Sequence, residues 1–305
     1  MRQAVIDTLA TLADRDERIV LLTGDLGFMV LETFADRHPR RFVNVGVAEQ
    51  NMVGVATGLA AAGFIPFVYS IATFATLRPY EFIRNGPILH NLPVRILGSG
   101  GGFEYGTAGP THYGLEDVAV MRTQPGITVM APADHQQARA VVAATWDLAG
   151  PVYYRLGKHD SWVVPGLNGA FGLGRAQMVR DGTDVLFLTL GPLAGEALDA
   201  ATRLASAGLS SAVVVVASIR PAPVDDLVAV LSRFRVALTV EAHYIDGGLG
   251  SLVSEISASH GLPCRVVRCG VTAVPNGRSG SESWLRSFHG LSGACLAETA
   301  LAQLT

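Results

Sequence analysis

Cysteine is scarce in this chain, with Cys264, Cys269 and Cys295 the only three in 305 residues. An odd count without metal-ligand spacing excludes a disulfide scaffold and a cysteine metal site, and leaves plain packing as their role. Charge is thin as well: charged side chains make up 16% of the sequence against 49% hydrophobic, and the net charge is −3. Both signs are interspersed and no basic block occurs, so nothing asks for nucleic acid or an anionic membrane as a partner. No apolar run approaches the roughly 20 residues that a membrane-spanning helix needs. The start, Met1-Arg2-Gln3-Ala4-Val5-Ile6, enters helical periodicity without the apolar core of a signal peptide, and a cytoplasmic, reducing location is expected. Short repeats, low-complexity tracts and long charge blocks are missing too. What remains is an apolar chain long enough for two domains, each able to bury its own core, with excess apolar surface expected in a subunit interface.

Runs rich in Val, Ile and Leu recur between helical patterns at Ile19 to Leu22, Phe42 to Val45, Ile65 to Tyr69, Val94 to Leu97, Ile127 to Met130 and Val152 to Tyr154. That alternation predicts a parallel sheet wrapped by helices. Asp134 is a good N-cap for a helix over Gln136 to Leu148. From Gly157 to Gln177 the periodicity fades, which predicts a linker. A second α/β unit follows, with strands at Val185 to Leu190, Ala212 to Ala217, Val236 to Val240 and Arg265 to Arg268, and helices at Leu193 to Ala207 and Pro223 to Arg233. The expected architecture is α/β, two doubly wound domains over 1–165 and 178–305, the second smaller.

Three segments carry chemistry. In Gly46-Val47-Ala48-Glu49-Gln50-Asn51 one carboxyl group opens a small-residue helix running to about Ala62. Its neighbours Val45, Val47, Ala48, Met52 and Val53 are apolar and would desolvate it, so that it could share a proton with a buried ring nitrogen. The helix N-terminus opposes this by at most about 1 kcal/mol. The plain alternative is an acid that stabilises the first helical turn. In Tyr69 to Tyr80, either Phe74 or Tyr80 could stack on a flat ring, or both could be core. In the glycine-rich stretch from Gly98 to Gly109, which leads to Pro110-Thr111-His112, a flexible loop could close over a substrate and His112 could hydrogen-bond its oxygens. A solvated turn histidine is the alternative. The glycines match no phosphate-cradling fingerprint.

In this order, these residues resemble the C-terminal half of transketolase, the pyrimidine-binding domain followed by the C-terminal domain, over essentially the whole chain. Gly109-Pro110-Thr111-His112 is the most specific match, and Ala217 to Pro221 and Glu241 to Gly250 look like C-terminal domain signatures, the latter a structural strand-to-helix turn. The resemblance implies thiamine diphosphate as cofactor, with Glu49 contacting its aminopyrimidine, Phe74 and Tyr80 forming the ring pocket and His112 handling substrate oxygens. It also implies that Arg2 and Arg155 match two arginines that bind substrate phosphate. Arg155 ends a strand, where it could clamp an anion or sit at a domain surface.

The family's diphosphate-binding domain, with Gly-Asp-Gly and a later Asn for Mg²⁺, has no match here, so no metal ligand is named in this chain. The expected assembly is a heterotetramer, α₂β₂, in which a separate subunit holds the diphosphate and Mg²⁺. The implied activity is transfer of a two-carbon ketol unit from a ketose to an aldehyde. Ala108 stands where an aspartate usually reads a substrate hydroxyl, Met29 where a serine helps hold the acceptor phosphate, and Leu77 where an aromatic is usual. These departures imply an acceptor other than an ordinary aldose phosphate. Two rival expectations are a β subunit of a 2-oxo acid dehydrogenase and a non-catalytic assembly subunit.

Overall fold

The computed structural model describes residues 1–304. Two sheets organise it. The first contains β1 (Ile19–Thr23), β2 (Phe42–Asn44), β3 (Ile65–Ile71), β4 (Arg95–Ser99), β5 (Thr128–Met130) and β6 (Val152–Leu156). The second contains β7 (Gln177–Arg180), β8 (Val185–Thr189), β9 (Ser211–Val215), β11 (Val236–Tyr244) and β12 (Arg265–Val271), while β10 (Ser218–Arg220) lies between β9 and β11 in the chain. Spatial order is β10-β5-β6-β4-β3-β1-β2 in the first sheet and β12-β11-β8-β9-β7 in the second. Pairing is parallel throughout, apart from β10 against β5 and β7 against β9.

The apolar runs behave as fully buried strands: every residue of β1, β4, β6, β8 and β9 is buried. Helices cover both faces of the first sheet, as a parallel sheet requires. On one face the helix Arg2–Ala13 packs Val5, Ile6 and Leu9 with Leu21, Phe67, Leu97 and Tyr154. On the other, Met52, Val53 and Ala56 of the helix Glu49–Ala61 meet Leu22, Val68 and Ile96. That second core does not stop at the domain boundary. It continues through Val129 and Ala131 into Leu186, Leu188, Val214 and Leu227 of the second unit. Each unit also has apolar packing of its own, the first behind the helix Arg2–Ala13 and the second around Phe187, Leu204, Leu238 and Leu296, and the shared cluster joins the two.

The second unit also lends a strand to the first. Ser218 pairs with Met130 and Arg220 with Val129, so β10 closes an edge of the seven-stranded sheet. A three-residue strand is too short to show a period in sequence. The segment expected as linker ends at β7, whose Gln177 pairs with Val215.

Asp134 caps its helix as the sequence predicts, and does more. Oδ1 accepts from the Gln137 N–H at 2.8 Å, and Oδ2 accepts from the Val164 N–H at 2.8 Å, pinning the segment that leaves the first unit. The carboxyl group is buried, so Asp134→Ala leaves two N–H groups unpaired. We expect a loss of about 2 kcal/mol in urea unfolding; a change within experimental error would deny Asp134 this double role.

Candidate active site at the carboxyl edge of the first sheet

Because β1, β2, β3 and β4 run parallel, the segments following them all emerge on one edge. Loops at this edge are where α/β sheets build sites. After β2 the chain turns at Gly46, whose φ of 74° favours glycine, and enters the helix Glu49–Ala61 with Glu49 as its first residue. The Glu49 side chain points inward and is only 2% exposed. Its two oxygens have two different partners. Ser70 Oγ, from β3, donates to Oε1 at 2.9 Å, and Arg78 Nη1 donates to Oε2 at 2.7 Å. An apolar surround was expected, and what closes around this acid is a hydroxyl and a guanidinium.

Arg78 caps the short helix Ala72–Leu77 that follows β3. Its position four residues after Phe74 places both on one helical face, and the guanidinium lies over the Phe74 ring, 3.8 Å from the ring centre. Phe74 also meets His112 edge to face, with ring centres 5.1 Å apart and planes at 67°. Glu49, Arg78, Phe74 and His112 thus form one continuous chain of contacts, although the sequence separates its ends by more than sixty residues. Thr111 Oγ1 lies 3.0 Å from His112 Nδ1. When the hydroxyl donates there, Nε2 carries the proton and is free to donate outward. A cleft of about 580 Å³ opens beside Glu49 and Arg78, lined also by Val47, Ala48, Gln50 and Asn51. A slightly larger cavity, about 620 Å³, lies elsewhere, against Trp162 and the helix Ala194–Ser206. We place the site by its chemistry and not by size.

The remaining expected residues lie apart from this chain of contacts. Tyr80 opens a separate short helix, Tyr80–Ile83, beyond the one that carries Phe74. Its hydroxyl donates to the Val120 carbonyl at 3.0 Å and accepts from Gln124 Nε2 at 2.6 Å, so it faces the core. Arg2 donates Nε to the Lys158 carbonyl at 3.2 Å. Arg155 is buried: Nε donates to Asp117 Oδ2 at 2.9 Å, and Nη2 to the carbonyls of Gly114 and Ala242 at 2.8 and 2.9 Å. This guanidinium is committed to protein acceptors that tie the two units together, and it forms neither an anion clamp nor an exposed domain surface.

The glycine-rich loop is also held. Phe103 is fully buried and stacks on His289 with ring centres 5.0 Å apart, Gly102 and Gly114 exchange backbone hydrogen bonds, and Tyr113 Oη donates to the Gly106 carbonyl at 3.2 Å. The expectation of a closing lid gives way to a loop pinned by its own aromatics.

Glu104 in this loop accepts at Oε2 from the Lys158 N–H at 2.5 Å. Burial, reinforced by the Glu282 carboxylate, pushes its carboxyl up to about 7 from an ordinary 4.5. The folded protein then binds more protons than the unfolded chain between these values, so this contribution to stability is complete below about pH 4.5 and is lost as pH rises through 7. Glu241, likewise pushed to about 7 by burial, contributes in the same direction. Glu104→Gln should flatten, in part, the fall in melting temperature between pH 5 and 7.5. An unchanged slope would count against the assignment.

Two residues of the site escaped the sequence reading. Ser70 is an inward-facing strand residue with nothing to distinguish it. Arg78 did leave a signal, as the only charged residue between Tyr69 and Tyr80, at helical spacing from Phe74.

Two α/β units in tandem, with a buried acid, an aromatic ring and a histidine gathered at the carboxyl edge of the first, define the class. The transketolase pyrimidine-binding domain model matches residues 1–161 and the transketolase C-terminal domain model residues 174–294, and the chain belongs to the transketolase family. Within it, this chain corresponds to the C-terminal half of a split transketolase. It is 36% identical over 307 residues to a candidate transketolase C-terminal section of Methanocaldococcus jannaschii, covering 100% of this chain and 96% of that protein. It is 35% identical over 292 residues to a 6-deoxy-6-sulfo-D-fructose transketolase subunit of a Clostridium species, covering 95% and 90%. Among solved structures, a split-gene transketolase described as an inactive β₄ tetramer superposes with a TM-score of 0.88 at 35% identity, covering 99% of this chain and 97% of that one. Among the described residues, no helix is long and apolar enough to cross a membrane.

Proposed function

We propose that this chain is the pyrimidine-side subunit of a two-chain, thiamine diphosphate-dependent transketolase that moves a two-carbon ketol unit from a ketose to an aldehyde. The observation that carries the proposal is the buried acid, Glu49, which lines a cleft with Arg78 and is linked through that guanidinium to the Phe74 and His112 rings. When bound, thiamine diphosphate supplies the nucleophilic carbon and the electron sink. Glu49 holds a proton against the pyrimidine ring nitrogen, and Phe74 offers the ring an apolar face. His112 Nε2 donates to substrate oxygens as charge develops on them. Arg155 is left out of the substrate site.

The diphosphate and Mg²⁺ belong to a separate N-terminal-half subunit, and α₂β₂ is the assembly we propose. Phe28, Met29 and Val47 stand 75%, 90% and 70% exposed on loops at the same edge as Glu49, an apolar rim suited to such a partner. Met29 is held there at φ 63°, a conformation uncommon for a side-chain-bearing residue. The names of the relatives favour transketolase over a 2-oxo acid dehydrogenase.

Co-expression with a neighbouring reading frame that carries Gly-Asp-Gly and a downstream Asn tests this reading. We expect co-purification and ketol transfer only in the assembly. Binding of thiamine diphosphate and Mg²⁺ with ketose turnover by this chain alone would overturn it, and release of CO₂ from a 2-oxo acid would decide for the dehydrogenase. Full partner activity with Glu49 and His112 substituted would decide for a non-catalytic subunit. Ala108, Met29 and Leu77 point to an acceptor other than an ordinary aldose phosphate. Ala108→Asp should then raise activity on ribose 5-phosphate; strong wild-type activity on it, unmoved by the substitution, would count against this.

A further inference from the structure

We propose that Arg78 is an internal occupant of the pyrimidine site, which holds the place of the ring until cofactor binds and must swing out to admit it. The inference deepens the functional reading above and rests on it. Both surfaces assigned to the aminopyrimidine are taken by one guanidinium. Its edge fills Glu49 Oε2 at 2.7 Å, and its plane covers the Phe74 ring at 3.8 Å. A guanidinium is suited to stand in for such a ring, being flat and delocalised, with N–H groups along its edge and an affinity for aromatic faces.

The contact also sets the wrong hydrogen-bonding role for catalysis. Paired with Arg78, Glu49 only accepts, whereas its task at a ring nitrogen is to donate. Ser70 takes the other carboxylate oxygen as the acceptor of its hydroxyl. The acid becomes available when Arg78 leaves. Departure is feasible because the two partners differ: the Glu49 side chain is 1% exposed and fixed at a helix start, while the Arg78 side chain is 42% exposed on the rim of the cleft. A long, flexible stem lets that head move into water without disturbing the core.

The test is calorimetric titration of thiamine diphosphate, with Mg²⁺ present, into the co-purified two-chain assembly. Arg78→Met removes the internal competitor and should tighten binding by about tenfold. Guanidinium added at millimolar concentration should weaken binding to Arg78→Ala and leave the wild type unmoved. Raising salt should tighten wild-type binding relative to Arg78→Met, since the half-exposed ion pair is screened. Binding by Arg78→Met that is unchanged or weaker overturns the proposal, and weaker binding would make Arg78 a direct partner of the ring. Glu49→Gln in the Arg78→Met background reads the contact of Glu49 itself, free of the ion pair. No further loss in that double variant takes the ring away from Glu49, and the functional reading fails along with the proposal. A loss there, with Arg78→Met no tighter than wild type, overturns the proposal alone.

Discussion

Glu49→Ala in the assembled enzyme should lower kcat by a factor of 10² to 10³, about 3 to 4 kcal/mol of transition-state stabilisation, the scale of a lost catalytic hydrogen bond in a water-excluded site. The fold should hardly notice. The partner released is a half-exposed Arg78 that can reach solvent, and Ser70 loses one acceptor, so we expect a stability change of about 1 kcal/mol or less. This separation is the diagnostic part. An acid that merely stabilises the first turn of its helix would give a similarly small stability loss, a few tenths of a kcal/mol, and nothing in turnover, so turnover separates the two. Glu49→Gln keeps the shape and the hydrogen bond from Ser70, and should fall nearly as far as Ala because an amide cannot cede a proton. Activity in either variant within a factor of three of wild type would remove Glu49 from the mechanism.

That Glu49 could be singled out from sequence, while its partners could not, has a physical reason. Helix starts, buried parallel strands and glycine turns are set by neighbours in the chain, so Glu49, the Asp134 cap and the strand from Val152 were legible as local patterns. The ion pair to Arg78 spans 29 residues and depends on the crossing from β2 to β3 beside β1, which no local pattern encodes. Pro79 separates the helix Ala72–Leu77 from the one that Tyr80 opens, so the spacing from Phe74 does not say which way the Tyr80 ring faces. The crossing of β10 into the other domain's sheet, and the core shared between the units, were illegible for the same reason as the ion pair. Each is a long-range pairing made by residues that look like ordinary interior residues of their own domain.

The position of Arg155, near the end of a strand, is shared by anion clamps and by structural arginines, and its buried protein acceptors separate them. The structural role makes a large prediction. Asp117 Oδ2 receives Arg155 Nε at 2.9 Å and Tyr153 Oη at 2.7 Å in a fully buried setting, while the same guanidinium reaches Ala242 of the second unit. Asp117→Leu strands a buried charge, and such losses run to about 3 to 5 kcal/mol. For a chain of this length we expect the melting temperature to drop by roughly 10 °C. Arg155→Met alone should cost a similar amount, since it leaves a carboxylate buried without its cation. The double variant Asp117→Leu, Arg155→Met removes both charges and should recover much of the loss, a coupling that a double-mutant cycle reads directly. A phosphate-binding arginine predicts a different result: Arg155→Lys would raise KM for a phosphorylated substrate and leave the melting temperature in place. Kinetics and calorimetry on these four variants therefore discriminate between an arginine that holds the substrate and one that joins the two domains.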